Sequence, residues 1–322
     1  MVGSRHRWQH TIADCVSVSG VGVHRGLPAI LSIFPAERDS GIVFVRSDLP
    51  AGKANAIPAR HHLTATTELA TVIGDRSGAA VSTIEHVMAA LYGLGIDNAL
   101  IAIDGPEVPI LDGSAKPFAE AIAKVGIERQ EAPRRYLRVK QAVRVENGQQ
   151  FGEILPHDRF TVDVEIVYPD AEIGHQRVVV DVTADKFSRE LASARTFGFY
   201  RDVEKLRAAG YARGASLDNT VVIGEGKILN KDGLRFHDEF VRHKALDAVG
   251  DLALIGMPLL GLYRSSRGGH KLNAQVVAAL LADPSHYDVV EIAAERAPAS
   301  RRSRVVSVDR VGAQIAYAPE GR

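Results

Sequence analysis

DEFVRHKALDAVGD, residues 238–251, is the stretch whose reading decides the rest. A helix through it stacks His243, Asp247 and Asp251 on one face, each a turn beyond the last. That face is polar where a core helix should be apolar. An imidazole and a carboxylate one turn apart project over the same patch and can share a divalent ion. A solvated face carrying an ion pair is the competing reading, so the rest of the chain must arbitrate.

VSTIEHVMAALYGLG, residues 81–95, places Glu85 and His86 together at the start of a second helix. Ser82 followed three residues later by Glu85 reads as a capping box, which accounts for the glutamate alone. His86 falls in the first turn, at the positive end of the helix dipole, where an imidazole is better neutral. A neutral imidazole is what a metal needs. His86, His243 and Asp247 would then form a three-residue ligand set that leaves a fourth position open for water, as catalytic rather than structural zinc requires. Glu85 would stand beside the ion as general base. The chain has no HExxH, so the same division of labour must come from two helices; His61 and His62 read as a surface pair.

Two more segments look like parts of this site. In SARTFGF, residues 193–199, Thr196 can offer a hydroxyl to an oxyanion. In SSRGGHKLN, residues 265–273, Gly268 and Gly269 allow close backbone approach before His270, a second acid or cation. Asp251, two turns from His243, is read as orienting that imidazole. Gly20, Gly22 and Gly26 in SGVGVHRG have the wrong spacing for a dinucleotide loop and read as a strand turn near a ligand.

Bulk properties exclude more than they assign. With 322 residues, 46% of them hydrophobic, the chain can bury a sizeable core, and two domains are expected. Lys plus Arg and Asp plus Glu number 39 each, so no net field argues for nucleic acid or an anionic membrane. Cys15 is the only cysteine, which rules out an internal disulfide and a cysteine zinc cluster. No apolar run of signal-peptide length follows the basic N-terminal residues, and the longest uncharged stretch, Leu252 to Tyr263, is too short to span a bilayer. A soluble cytoplasmic protein is expected.

Strands are predicted at Ala29–Phe34, Gly41–Val45, Asn98–Ile103, Val139–Val145 and Phe160–Val167, and helices at Thr83–Leu94 and Ala115–Val125, with 184–194 as a further helical candidate. They alternate without a doubly wound period, which gives an α+β class with two similar-sized domains. Glu128 to Arg135, charged and carrying a proline, is read as the link between domains 1–130 and 131–322.

Taken in order, SGVGVHRG, STIEHVMAALYGLGIDNALIAIDGPEVPILDGSAKPF, SARTFGF, LRFHDEFVRHKALDAVGDLALIG and RGGHKLN closely resemble the UDP-3-O-acyl-N-acetylglucosamine deacetylase family, the zinc amidases that commit Gram-negative bacteria to lipid A synthesis. The resemblance implies zinc on His86, His243 and Asp247, and hydrolysis of the N-acetyl group of a UDP-linked acylated glucosamine to acetate and a free amine. It implies Glu85 as general base, His270 as acid or cation, Thr196 at the oxyanion, and Asp251 orienting His270. Lys244, Leu69, Phe197 and Gly198 would bind substrate, with Ala70 and Thr71 beside the metal. Known members carry cysteine at the Ala70 position and a small polar residue at Arg25. The implied fold is two layered domains, each with a small insert, enclosing the site. The second insert, about 199–227, would form an acyl-chain passage from Leu206, Ala208, Ala209, Gly210, Ala212, Gly214 and Ala215. A monomer acting on a small-molecule substrate is expected, and the tail after about Asp283, including RRSRVVSVDR, is given no catalytic part.

Overall fold

The structure is a computed structural model that describes residues 6–50, 55–75 and 77–291, all within one compact unit, Met1–Ile292. The RRSRVVSVDR tail lies outside the described residues.

Two large sheets organise the molecule, and each draws on one part of the chain. The first has five strands in the order Val16–Val21, Pro28–Pro35, Ala99–Ile103, Ile42–Arg46, Ala56–Pro58. Pro28–Pro35 alternates, with Ala29, Leu31 and Ile33 buried and Ile30 and Phe34 outward, the mark of a sheet covered on one face. The second sheet has seven strands, and its central Leu259–Ser266 pairs antiparallel with Gln150–Pro156 and parallel with both Arg135–Val139 and Phe160–Val167. There are also three-stranded sheets at Thr64–Thr66, Val72–Gly74, Ala80–Val81 and at Phe197–Phe199, Val221–Gly224, Lys227–Ile228, the latter bracketing the segment of about 199–227 where the second insert was expected. The class is α+β.

Helices lie where the periodicity put them, at Glu85–Leu94, Lys116–Val125 and Glu239–Leu252. One expectation fails. The strand read at Val139–Val145 is two strand ends, Arg135–Val139 and Val143–Asn147, separated by a turn. The segment read as an interdomain link is itself a strand, Ile127–Pro133, paired with Trp8–Ile12. Most of its side chains are exposed, so no apolar alternation marked it as a strand.

The Glu239–Leu252 helix is buried nearly all round, only Arg242 and Lys244 falling outside the buried set. His243, Asp247 and Asp251 are therefore core residues, and the solvated-face reading is wrong. Their burial is compatible with folding only if each polar group finds a partner. The helix packs against Glu85–Leu94, and Gly250 sets the approach: a Cβ there would lie 2.0 Å from the Glu85 carbonyl oxygen. Both helices must shift to admit a methyl group. Gly250→Ala is therefore expected to cost about 1–3 kcal/mol, read as a lower urea midpoint at constant slope. An unchanged midpoint would show that the crossing has slack.

Candidate metal centre and cavity

The Glu85–Leu94 helix starts on two of the candidate site residues, Glu85 and His86. Ile84 is the N-cap and no side chain caps it. Ser82 Oγ instead donates to the Pro106 carbonyl, and Glu85 Oε2 accepts the Thr71 amide at 3.1 Å, so the capping-box reading is wrong. Glu85 is 3% exposed and held away from its own helix end.

His86, His243 and Asp247 are all buried, and one ligand atom from each lies within 4.8 Å of the other two; they form the metal-type cluster found among the described residues. Asp247 Oδ1 is 3.3 Å from His243 Nε2 and 3.6 Å from His86 Nε2. His243 Nδ1 donates to the Ala194 carbonyl at 3.1 Å, which fixes the tautomer and leaves the Nε2 lone pair for a ligand. Asp247 Oδ1 is fully buried with no hydrogen-bond partner among the described residues. Such an orphaned carboxylate oxygen, facing two imidazoles, fits a divalent cation.

The electrostatics agree with that fit. Burial pushes His243 down to about 4, so the ring is neutral, with Asp247 only partly opposing the shift. Burial works against the Asp247 anion, but its polar surroundings, the Lys244 ammonium above all, outweigh it and hold the carboxyl well below its usual range. Lys244 Nζ sits 2.7 Å from Asp247 Oδ2, and this partner overcomes burial to raise the ammonium. Burial raises Glu85. For His270 burial acts to lower the value, yet the Asp251 and Glu85 carboxylates win and lift it to about 9. This holds even though His270 opens the His270–Ala282 helix, where the dipole disfavours a cation.

Asp251 does not orient His243, as the residue spacing suggested. Its Oδ2 takes the Nδ1 proton of His270 at 2.8 Å and the Asn273 amide at 2.7 Å, as the family likeness implied. His270 Nε2 then points at Glu85 Oε1, 3.7 Å away.

Glu85, His86, His243, Lys244, Asp247 and His270 line one cavity of about 890 Å³, together with Leu69, Thr196, Phe197 and Gly198. Of the small residues assigned to the passage, Leu206, Ala212 and Ala215 line it too. Ala209 and Gly210 line a separate pocket with Arg25 and Arg213, Gly214 packs on the Gly22 carbonyl, and Ala208 is exposed.

Sequence reasoning missed three supports. Arg195 and Glu239 form a buried pair at 2.8 Å that fixes the loop carrying both Ala194 and Thr196. Buried Glu107 accepts the amides of His24 and Arg25 at 2.7 and 2.8 Å. A Cβ on Gly22 would meet that carboxylate at 2.3 Å, which explains the glycine in a turn at the cavity rim. Backbone strain was a third silent signal: Leu69 and Thr83 have φ near +64° and +59°, just before residues of the site.

A buried two-imidazole, one-carboxylate cluster lining a large cavity together with a glutamate and a cationic histidine is the arrangement of a metal-dependent hydrolase. The sequence profile of the family described as UDP-3-O-acyl N-acetylglycosamine deacetylase matches residues 9–282. The chain belongs to that family. It is 50% identical over 287 residues to the UDP-3-O-acyl-N-acetylglucosamine deacetylase of Brucella ovis, covering 88% of this chain and 99% of that one. The protein of the same name from Brucella melitensis biotype 2 matches to the same extent. No helix among the described residues is long and apolar enough to cross a membrane.

Proposed function

We propose that this protein hydrolyses the N-acetyl group of UDP-3-O-(3-hydroxyacyl)-N-acetylglucosamine, giving acetate and a free amine in lipid A biosynthesis, with zinc held by His86, His243 and Asp247. The observation that carries this reading is the buried cluster with its orphaned Asp247 Oδ1, lining the large cavity together with Glu85 and His270. Two imidazoles and one carboxylate suit zinc with an exchangeable position. Bound there, the ion would polarise the acetamide carbonyl and make water a better nucleophile.

The residues of the chain divide the remaining work. Glu85 takes a proton from the attacking water at its free carboxylate oxygen. The Thr196 hydroxyl donates to the oxyanion that develops on the acetamide. His270, kept cationic, stabilises the same charge and holds at Nε2 a proton for the departing amine. Lys244, Leu69, Phe197 and Gly198 contact substrate, and the acyl chain follows the cavity past Leu206, Ala212 and Ala215. The division into domains 1–130 and 131–322, a monomeric state and a cytoplasmic location belong to the same proposal; the exposed free thiol of Cys15 suits a reducing compartment.

Metal analysis combined with acetate release tests ligands and reaction together. Stoichiometric zinc with acetate from the UDP-linked substrate is the expected result. Release only from the amide of a free acylated amino sugar would favour an amidase of other specificity, and no release from either would indicate a silent relative.

The rate should rise with pH as Glu85 deprotonates, above the ordinary glutamate range because burial raises it, and fall as His270 loses its proton near 9. In His270→Gln the basic limb should move. An unmoved limb would remove His270 from the proton inventory.

Ala215→Leu should narrow the passage and is the cleaner probe, since Ala212 has φ +52° and resists a larger side chain. Each methylene that can no longer be buried forfeits about 0.8 kcal/mol, so kcat/KM should fall more for long acyl chains than for short ones. Equal losses on both would route the chain elsewhere.

A further inference from the structure

Thr71 touches both acidic members of the site. Its amide donates to Glu85 Oε2 at 3.1 Å, and its hydroxyl donates to Asp251 Oδ1 at 2.5 Å, across 180 residues of chain. All three residues are buried, Thr71 at 2% exposure. The segment is turned inward by Leu69 in the left-handed region and continues directly into the strand Val72–Gly74.

Asp251 is held unevenly. One oxygen, Oδ2, serves both His270 Nδ1 and Asn273 Nδ2, and Asn273 Oδ1 in turn accepts the Tyr263 hydroxyl at 2.5 Å. Bonds to a single oxygen leave the carboxylate free to swing about its Cβ–Cγ bond. The hydroxyl of Thr71 holds the other oxygen, so it defines the carboxylate plane, and that plane directs the His270 ring toward Glu85. The Thr71 amide meanwhile restrains Glu85 from the far side.

We propose that Thr71 is a positioning residue, a two-sided clamp whose hydroxyl fixes Asp251, and through it His270, while its amide fixes Glu85. Its kinetic consequence rests on the deacetylase reading above; its structural consequence does not.

The test compares Thr71→Val, which keeps shape and amide but lacks the hydroxyl, with Thr71→Ser, each with His270 intact and with His270→Gln. Thr71→Val should lower kcat by roughly 10–100-fold, with KM and metal content near the wild-type values. Thr71→Ser should recover most of the rate. In the His270→Gln background, Thr71→Val should cost less than about threefold, because the residue through which it acts is gone. In protein labelled with 15N-histidine, the Nδ1 proton of His270, assigned by its loss in His270→Gln, should shift or broaden in Thr71→Val and return in Thr71→Ser. A wild-type rate with an unmoved resonance would overturn the proposal, as would an undiminished loss in the His270→Gln background or a parallel loss of metal. Should Thr71→Val fail to fold, Thr71→Ala serves in its place. If the wild-type protein releases no acetate, the functional reading fails alone, and the resonance decides the clamp.

Discussion

Glu85→Gln should retain its metal and lose activity on the order of 100-fold or more, the usual loss for a general base. The amide keeps the size of the carboxylate and can still accept the Thr71 amide proton at one oxygen, so the helix start need not move. What it cannot do is take a proton. Metal content by elemental analysis and acetate release at saturating substrate give the two readings. A near-normal rate in a folded, metal-loaded Glu85→Gln protein would leave the residue a purely structural part.

Asp247→Ala should lose metal and activity together, by more than the roughly 100-fold that outer partners of a metal site cost. It removes a ligand, and it also strips Lys244 of the carboxylate 2.7 Å away that offsets the burial of its ammonium. Breaking a buried pair this way typically costs about 3–5 kcal/mol, so stability should fall as well. His243→Ala should lose metal with a smaller penalty of that second kind, because it strands no charge. Full metal and turnover in Asp247→Ala would take this carboxylate out of the ligand set.

The candidate metal cluster was legible because helical periodicity reports which side chains share a face. His243 and Asp247 stand one turn apart in sequence and in space, and Glu85 with His86 announced a second helix start. Periodicity does not report what lies opposite a face. Asp251 was therefore given to His243, its neighbour along the helix, when its partner is His270 from the next helix. Ser82 and Glu85 fit a capping box in spacing, yet each bonds outside the helix, to Pro106 and Thr71. Ile127–Pro133 was hidden for a related reason: an exposed strand has no apolar period to read. Thr71, Glu107 and Arg195 act through bonds that span 180, 82 and 44 residues or close to it, and nothing local to them announces a distant partner.

Where the Gly250 backbone meets the Glu85 carbonyl, the spacing between the two helices that carry the candidate metal cluster is set by main-chain atoms, which every sequence carries alike. Side chains around the rim can be exchanged, enlarged or recharged during divergence without altering that gauge. Residues along the large cavity, Leu206 and Ala215 among them, can therefore change while the distance between the two helices stays the same. One missing methyl group thus sets the distance between the helix that carries Glu85 and His86 and the helix that carries His243 and Asp247.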